Sequence, residues 1–233
     1  MPAEGCVRLK DQPSQAEGFF MAKRAVLFAN GVMPKAALIL PHLRPDDYYI
    51  AVDGGLRHIR NLYKTPGLLI GDLDSATTAE VEGAIAQGIE VRRYKPDKDE
   101  TDLELALLAA IEKGFDEILI IAVLGGRLDQ TLGNLNLLTH PLLNGVKVSI
   151  EDGTEELFFI RNSVEIHGSA GDIVSLIPMQ GDVVGVETRE LKYPLRHETL
   201  HQEKGRGISN VMLGDRAVVS IESGLLLCIH TRS

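Results

Sequence analysis

The chain has 233 residues, 44% apolar and 24% charged, which suits a soluble globular protein with a sizeable core rather than a disordered or fibrous one. Its 24 Lys and Arg against 33 Asp and Glu leave a net charge of −9; nucleic-acid binding, which needs clustered cations, is not expected. No apolar run reaches the roughly 18 residues of a membrane span, the polar start lacks a secretion signal's apolar core, and Cys6 and Cys228 make no disulfide framework, so a cytoplasmic protein with no membrane partner is expected.

Residues 1 to 20 carry no periodicity and read as a mobile tail, and Met21 offers an alternative start. Apolar runs then follow at 25–29, 48–52, 68–70, 118–124 and 146–150, with a weaker one at 89–94. Helical stretches lie between them at Thr78–Gln87, Asp102–Lys113 and Gln130–Leu138. Thr77 with Glu80, and Thr101 with Glu104, have the spacing of capping boxes. Continuous apolar strands alternating with helices predict a mostly parallel, Rossmann-like α/β/α domain over residues 21–152. After Asp152 short runs crowd together (ELFFI, VEIHG, IVSLIP, VVGVET, NVML, AVVSIES, LLLCIH) with Gly, Asp and Pro between them. Residues 153–233 therefore read as an all-β module, a small sandwich or barrel, with Cys228 in a buried strand.

The acids fall at the ends of strands. YYIAV is followed by Asp53-Gly54-Gly55, LLI by Gly71-Asp72-Leu73-Asp74-Ser75, and IIAVL by Gly125-Gly126-Arg127-Leu128-Asp129. In a parallel sheet these ends open onto one edge, where ligands bind; Asp102 adds a carboxylate at a helix start. One Asp after a strand is often only a turn former or a helix cap. Several on one edge call for another reason. Asp72 and Asp74 can both reach one hard cation, and magnesium prefers one or two carboxylates beside water and phosphate oxygens. The glycines at 54, 55, 125 and 126 let backbone amides approach phosphates, and Arg127 can neutralise charge on a transferring group.

Other motifs exclude alternatives. There is neither a G-x-x-x-x-G-K-[ST] loop nor a G-x-G-x-x-G fingerprint. His197-Glu198-Thr199-Leu200-His201 fits H-E-x-x-H, but that motif binds zinc only on a helix, and Pro194 and Gly205 flank it in a region that reads as β. It is expected to be a chance spacing in a surface loop, and His58 and His140 to be ordinary helix or loop residues.

Read in order, AVDGG (51–55), GDLDS (71–75), KDETDLELAL (98–107), GGRLDQTLGN (125–134), LKYPL (191–195) and GISN (207–210) resemble the thiamine pyrophosphokinase family over about residues 25 to 230. The resemblance implies an α/β domain that binds ATP and Mg2+, a C-terminal β-sandwich that helps bind thiamine, and a homodimer with the active site near the subunit interface. The thiamine hydroxyl would attack the β-phosphorus of ATP, and AMP would leave. On this chain it implies Asp72, Asp74 and Asp102 as magnesium ligands, with Asp53 beside the metal and Arg127 at the transferring phosphate. Asn30, Gly54, Gly55, Ser75, Lys98, Thr101, Gly125, Gly126 and Asp129 would line the nucleotide, and Ser209, Asn210 and Tyr193 the thiamine. Three departures stand out: Glu190 where many members have Gly, Gln130 and Gly133 in a segment where they would adjust helix packing, and no Trp anywhere. Tyr193 or an aliphatic face would take over the stacking role that some members give to Trp. The alternatives are the same chemistry on another hydroxymethyl heterocycle, such as a pterin, or a non-catalytic thiamine or nucleotide sensor.

Overall fold

The computed structural model describes residues 24–233; the tail expected over residues 1 to 20, with Cys6 and Met21, lies outside the described residues. β1 (Arg24–Phe28) is buried along its whole length. Successive strand side chains point to opposite faces. Ala25 and Leu27 join a core with Leu103, Ala106, Leu107 and Ala110 of α4 (Asp102–Glu112). Val26 and Phe28 join another with Leu56 and Ile59 of α2 (Gly55–Asn61) and Ala84 of α3 (Thr78–Ala86). Both faces are covered, which is why the strand is apolar without alternation.

β2 (Tyr48–Val52), β3 (Leu68–Gly71) and β4 (Glu90–Arg93) extend from one side of β1, and β5 (Glu117–Ile121) and β6 (Lys147–Glu151) from the other. All pair in parallel, in the order β4-β3-β2-β1-β5-β6. The chain reverses its direction of winding between β1 and β5, so the loops after β1, β2, β3 and β5 open onto one crevice. The expected helices are present, the third shifted to α5 (Leu128–Leu137). Gly133 on α5 has nothing within 4 Å of a built Cβ and no residue of α5 is buried, so it adjusts no packing within the chain. Thr77 and Glu80 close a reciprocal capping box; at Thr101 only the Glu104 N–H to Thr101 Oγ1 bond forms. α1 (Ala36–Ile39) and α2 are too short to show a helical period and were not expected.

β7 (Glu155–Ile160) returns antiparallel on β6, and β13 (Ser223–Thr231) pairs with β7, so the sheet continues into the all-β half. IVSLIP and VVGVET, read from sequence as two strands, are one 17-residue strand, β9 (Ile173–Arg189). Gln180 and Gly181, at φ of +63° and +123°, interrupt its extended backbone. The first part pairs with β13 and β11 (Asn210–Val211), the last with β12 (Arg216–Ser220) and β10 (Arg196–Leu200), while β8 (Ser163–His167) borders β12. Val174, Leu176, Leu226 and Cys228 on the first layer share a core with Ile166, Val186, Ala217 and Val219 on the second. The module is a sandwich, and Cys228 is buried in it.

The end of the chain is tied into this sandwich. Asp172 accepts hydrogen bonds from the Ser233 amide and hydroxyl (3.0 Å each), the Ser169 amide (2.9 Å) and buried His230 Nε2 (2.9 Å). Burial alone would raise its pKa, but these donors outweigh burial and hold it at about 2. Because the folded value lies below the unfolded one, the stabilisation is full above about pH 4 and disappears as pH falls through about 2. Urea unfolding should show about 2 kcal/mol less stability from this group at low pH than at pH 6, and Asp172→Asn should remove that part of the acid dependence.

Candidate active site

Asp53, at the end of β2, has φ of +50°, a left-handed conformation that Asp tolerates better than most residues. Its N–H donates to the Ile70 carbonyl at 2.8 Å, joining the end of β2 to β3. The residue is 9% exposed. Oδ2 accepts from Ser75 Oγ at 2.6 Å and from Asn30 Nδ2 at 3.4 Å; Oδ1 is buried with no hydrogen-bond partner among the described residues. Asn30 reaches it by lying against Gly54, where a Cβ would come 2.1 Å from Asn30 Oδ1. Gly55 starts α2 hard against β1: a Cβ there would be 1.8 Å from the Phe28 carbonyl oxygen. Each glycine thus solves a crowding problem, one beside a site side chain and one beside the backbone.

Leu73 separates the next two acids and is also left-handed, at φ of +60°. Its side chain is buried in the core with Leu56 and Ile59, which anchors the sharp turn. The Asp74 N–H donates to Asp72 Oδ1 at 3.0 Å. Asp53, Asp72 and Asp74 each offer a carboxylate oxygen, and these oxygens lie within 4.8 Å of one another. The Asp74 pKa is raised, first by the charge of Asp72, then by desolvation, by Asp53, by a hydrogen bond with Asp72 and by Asp102. A buried unpartnered oxygen and mutually repelling carboxylates are what a hard divalent cation would relieve, so these residues fit one.

Asp102 contributes to the charge around Asp74 but stands outside that trio. Its Oδ1 lies 3.0 Å from Lys98 Nζ, four residues earlier, in an ion pair not aligned as a hydrogen bond. Thr101 caps α4 beside it. Across β1, Gly125 and Gly126 are both left-handed, and exposed Arg127 binds Asp129 through Nη2 (2.5 Å) and Nε (3.1 Å). Arg127 and the Gln130 amide hold Asp129 below its usual pKa. These two side chains contact each other rather than the acids. At the β1–β5 reversal lies a cavity of about 340 Å3 whose lining includes Val32, Leu38, Leu124 and Gly125.

The remaining predicted residues lie in the sandwich. Ser209 is left-handed (φ +57°) and its N–H donates to Ser175 Oγ at 3.1 Å. Asn210 is buried and committed to backbone. Its Oδ1 accepts from the Tyr193 and Val211 amides (2.9 Å each), and its Nδ2 donates to the Tyr193 carbonyl at 2.7 Å. Tyr193 presents an exposed ring with Lys192 Nζ 5.6 Å from its centroid. Glu190 has φ of +60°, the conformation in which glycine is the default residue. The HETLH segment is strand β10 and the residue after it, not a surface loop. His197 approaches Glu222, Glu198 pairs with Arg206, and His201 with Asp182. His58 hydrogen-bonds the Gly31 carbonyl from α2, and His140 caps a short turn.

Sequence reasoning missed Arg57. From α2 its guanidinium donates to the Ser75 carbonyl and reaches Glu80 Oε1 at 3.4 Å. No spacing rule points to this contact, because it joins side chain to backbone across two loops.

Two family models match the chain: "Thiamin pyrophosphokinase, catalytic domain" over residues 42–150 and "Thiamin pyrophosphokinase, vitamin B1 binding domain" over residues 161–226. A thiamine pyrophosphokinase of Bacillus subtilis is 30% identical over 185 residues, covering 78% of this chain and 86% of the relative. Thiamine pyrophosphokinase 2 of Arabidopsis thaliana is 27% identical, covering 88% and 75%. The crystal structure of thiamine pyrophosphokinase from Bacillus subtilis superposes with a TM-score of 0.80 at 28% identity, covering 91% of this chain and all of that one. The yeast thiamin pyrophosphokinase structure shares the fold, with a TM-score of 0.74 at 17% identity over 91% and 87% of the two chains.

Asn210→Ala strands two amides and a carbonyl and should cost about 3 kcal/mol in chemical unfolding, whereas Tyr193→Ala at the exposed ring should change stability by less than about 0.5 kcal/mol.

Proposed function

The chain belongs to the thiamin pyrophosphokinase family, and on that premise we propose that the crevice of Asn30, Asp53, Asp72, Asp74 and Ser75 is its active site. The protein transfers a diphosphate group from ATP to thiamine, giving thiamine diphosphate and AMP. A pterin acceptor and a non-catalytic sensor find no support among relatives named as thiamine pyrophosphokinases. The observation that carries the site assignment is the meeting of three carboxylates, one with a buried oxygen that has no partner among the described residues, at the strand ends of the catalytic half.

Asp72 and Asp74 are assigned to hold Mg2+, with Asp53 fixed behind them by Ser75 and Asn30. Bound magnesium supplies charge neutralisation on the phosphate oxygens. Asp102, expected as a third ligand, is engaged by Lys98; we assign it the holding of that cation at the rim, where phosphate would pass. The cavity at Val32, Leu38 and Leu124, whose lining also includes Lys35, Glu151 and Asp152, offers an apolar wall for the adenine ring, and the amides of Gly125 and Gly126 with Arg127 and Asp129 suit the phosphates. Transfer is mainly positioning and electrostatics, so no dedicated base is assigned to the thiamine hydroxyl.

Residues 21–152 are taken as the ATP-binding unit and 153–233 as the thiamine-binding unit, a division that falls between the two matched segments. Tyr193, Ser209 and the backbone around Asn210 are assigned to thiamine. Seven strand steps separate β2 from β11, roughly 30 Å of sheet at about 4.8 Å a step, while reacting atoms must meet at about 3 to 3.5 Å. That separation supports a homodimer in which one copy's sandwich closes the other's crevice. Exposed Leu128 and Leu132, one turn apart on α5, add apolar surface that a partner would cover. A reaction that consumes ATP fits the cytoplasm, and no described helix is long and apolar enough to cross a membrane.

The assignment is tested by following AMP and thiamine diphosphate in Asp72→Asn and Asp74→Asn. Each should lose at least about 100-fold in kcat, a barrier increase of about 3 kcal/mol, and near-normal rates would contradict it. The shared site is tested by mixing Asp72→Asn with Tyr193→Ala/Ser209→Ala, each weak alone. Random exchange of subunits should restore about a quarter of wild-type activity if sites are shared between copies, and none if each chain holds a whole site.

A further inference from the structure

The geometry points to Arg57 as the positioning residue that keeps the acidic loop preset for a divalent cation, an inference that rests on the active-site assignment above. The loop from Gly71 to Ser75 is in an awkward electrostatic position. Asp72 and Asp74 stand beside Asp53 with carboxylate oxygens within 4.8 Å of one another, so like charges repel across the loop. Left to itself, such a loop would relax outward and separate the charges.

Ser75 is the residue that prevents this, and it is held twice. Its hydroxyl donates to Asp53 Oδ2 at 2.6 Å, and its carbonyl accepts from the Arg57 guanidinium. Asp53 immediately precedes Gly54, the N-cap of α2, and Arg57 lies in the helix's first turn, so both bonds tie the loop to the junction of β2 and α2. Arg57 also reaches Glu80 Oε1, while Glu80 Oε2 caps α3 through Thr77. One side chain thus links α2, the acid-bearing loop and the start of α3. Arg57 touches none of the three clustered carboxylates. It is about half exposed, and an exposed ion pair with Glu80 alone contributes little. Its distinctive contact is the charge-assisted bond to a loop carbonyl, which fixes backbone geometry. A cation then meets carboxylates already in place instead of having to order them.

The test is titration of the purified full chain with Mn2+ alone, followed by electron paramagnetic resonance, alongside thermal unfolding and the Mg2+ dependence of turnover. Arg57→Ala should weaken Mn2+ binding about 10-fold and raise the Mg2+ needed for half-maximal rate by a similar factor. Its kcat at saturating Mg2+ should stay within about 3-fold of wild type, because the ligands themselves remain. Arg57→Lys, which keeps the charge but not the fork, should fall between. If Arg57→Ala does not fold, Glu80→Gln, which retains a carbonyl for Thr77 while loosening Arg57, should shift Mn2+ affinity the same way by a smaller factor. Unchanged Mn2+ affinity in a folded variant overturns the inference while leaving the site assignment standing. Wild-type Mn2+ binding that is absent, or that survives Asp72→Asn, removes both.

Discussion

Everything about the catalytic half follows from one electrostatic constraint. Three carboxylates converge within 4.8 Å at the ends of β2 and β3, and one of their oxygens is buried without a described partner. Like charges at this spacing disfavour one another's ionised form, as the raised pKa of Asp74 records. A chain keeps such an arrangement only if something else holds it together, and here backbone and side-chain contacts around the loop do so. Asp53 is locked to β3 through the Ile70 carbonyl, Leu73 is buried as an anchor between Asp72 and Asp74, and Ser75 is bonded back to Asp53. Asp53 and Leu73, both left-handed, hold strained backbone at this edge.

The fold makes that edge available. A parallel sheet covered by α2 and α3 on one face and α4 on the other leaves only its ends open, and the reversal between β1 and β5 widens the opening there. The same sheet runs on through β6 and β7 into the sandwich, so the two halves are covalently and structurally continuous. That continuity also keeps the residues assigned to thiamine far from the acids along the sheet. The proposed site shared between two copies would reconcile that separation with one reaction centre.

Much of this was legible in the sequence. Strand-end acids are readable because apolar runs locate the strands and the next residues are Asp-Gly-Gly or Gly-Asp-Leu-Asp. The change to β structure after Asp152 is readable from short runs punctuated by Gly, Asp and Pro. What stayed hidden is what depends on tertiary contact. IVSLIP and VVGVET look like two strands because Gly181 between them is a turn residue as often as a bend within one strand. Lys98 and Asp102 are spaced to pair on a helix, yet Lys98 precedes α4, so their contact depends on how the loop enters it. Asn210 reads as a polar contact for a ligand, whereas its side chain substitutes for strand backbone beneath Tyr193. Arg57 carries no sequence signal, since its partner is a carbonyl that every residue possesses.

Asp53, Asp72 and Asp74 are proposed as a cation site, and a second cluster offers a built-in comparison: Asp182, His201 and Glu203 also come within 4.8 Å in the sandwich, but His201 and Asp182 already satisfy each other at 2.7 Å. Anomalous diffraction from crystals soaked in Mn2+ with an ATP analogue separates the two most directly. A manganese peak is expected among Asp53, Asp72 and Asp74. A crystal showing none there, or showing manganese only at Asp182, His201 and Glu203, would contradict it.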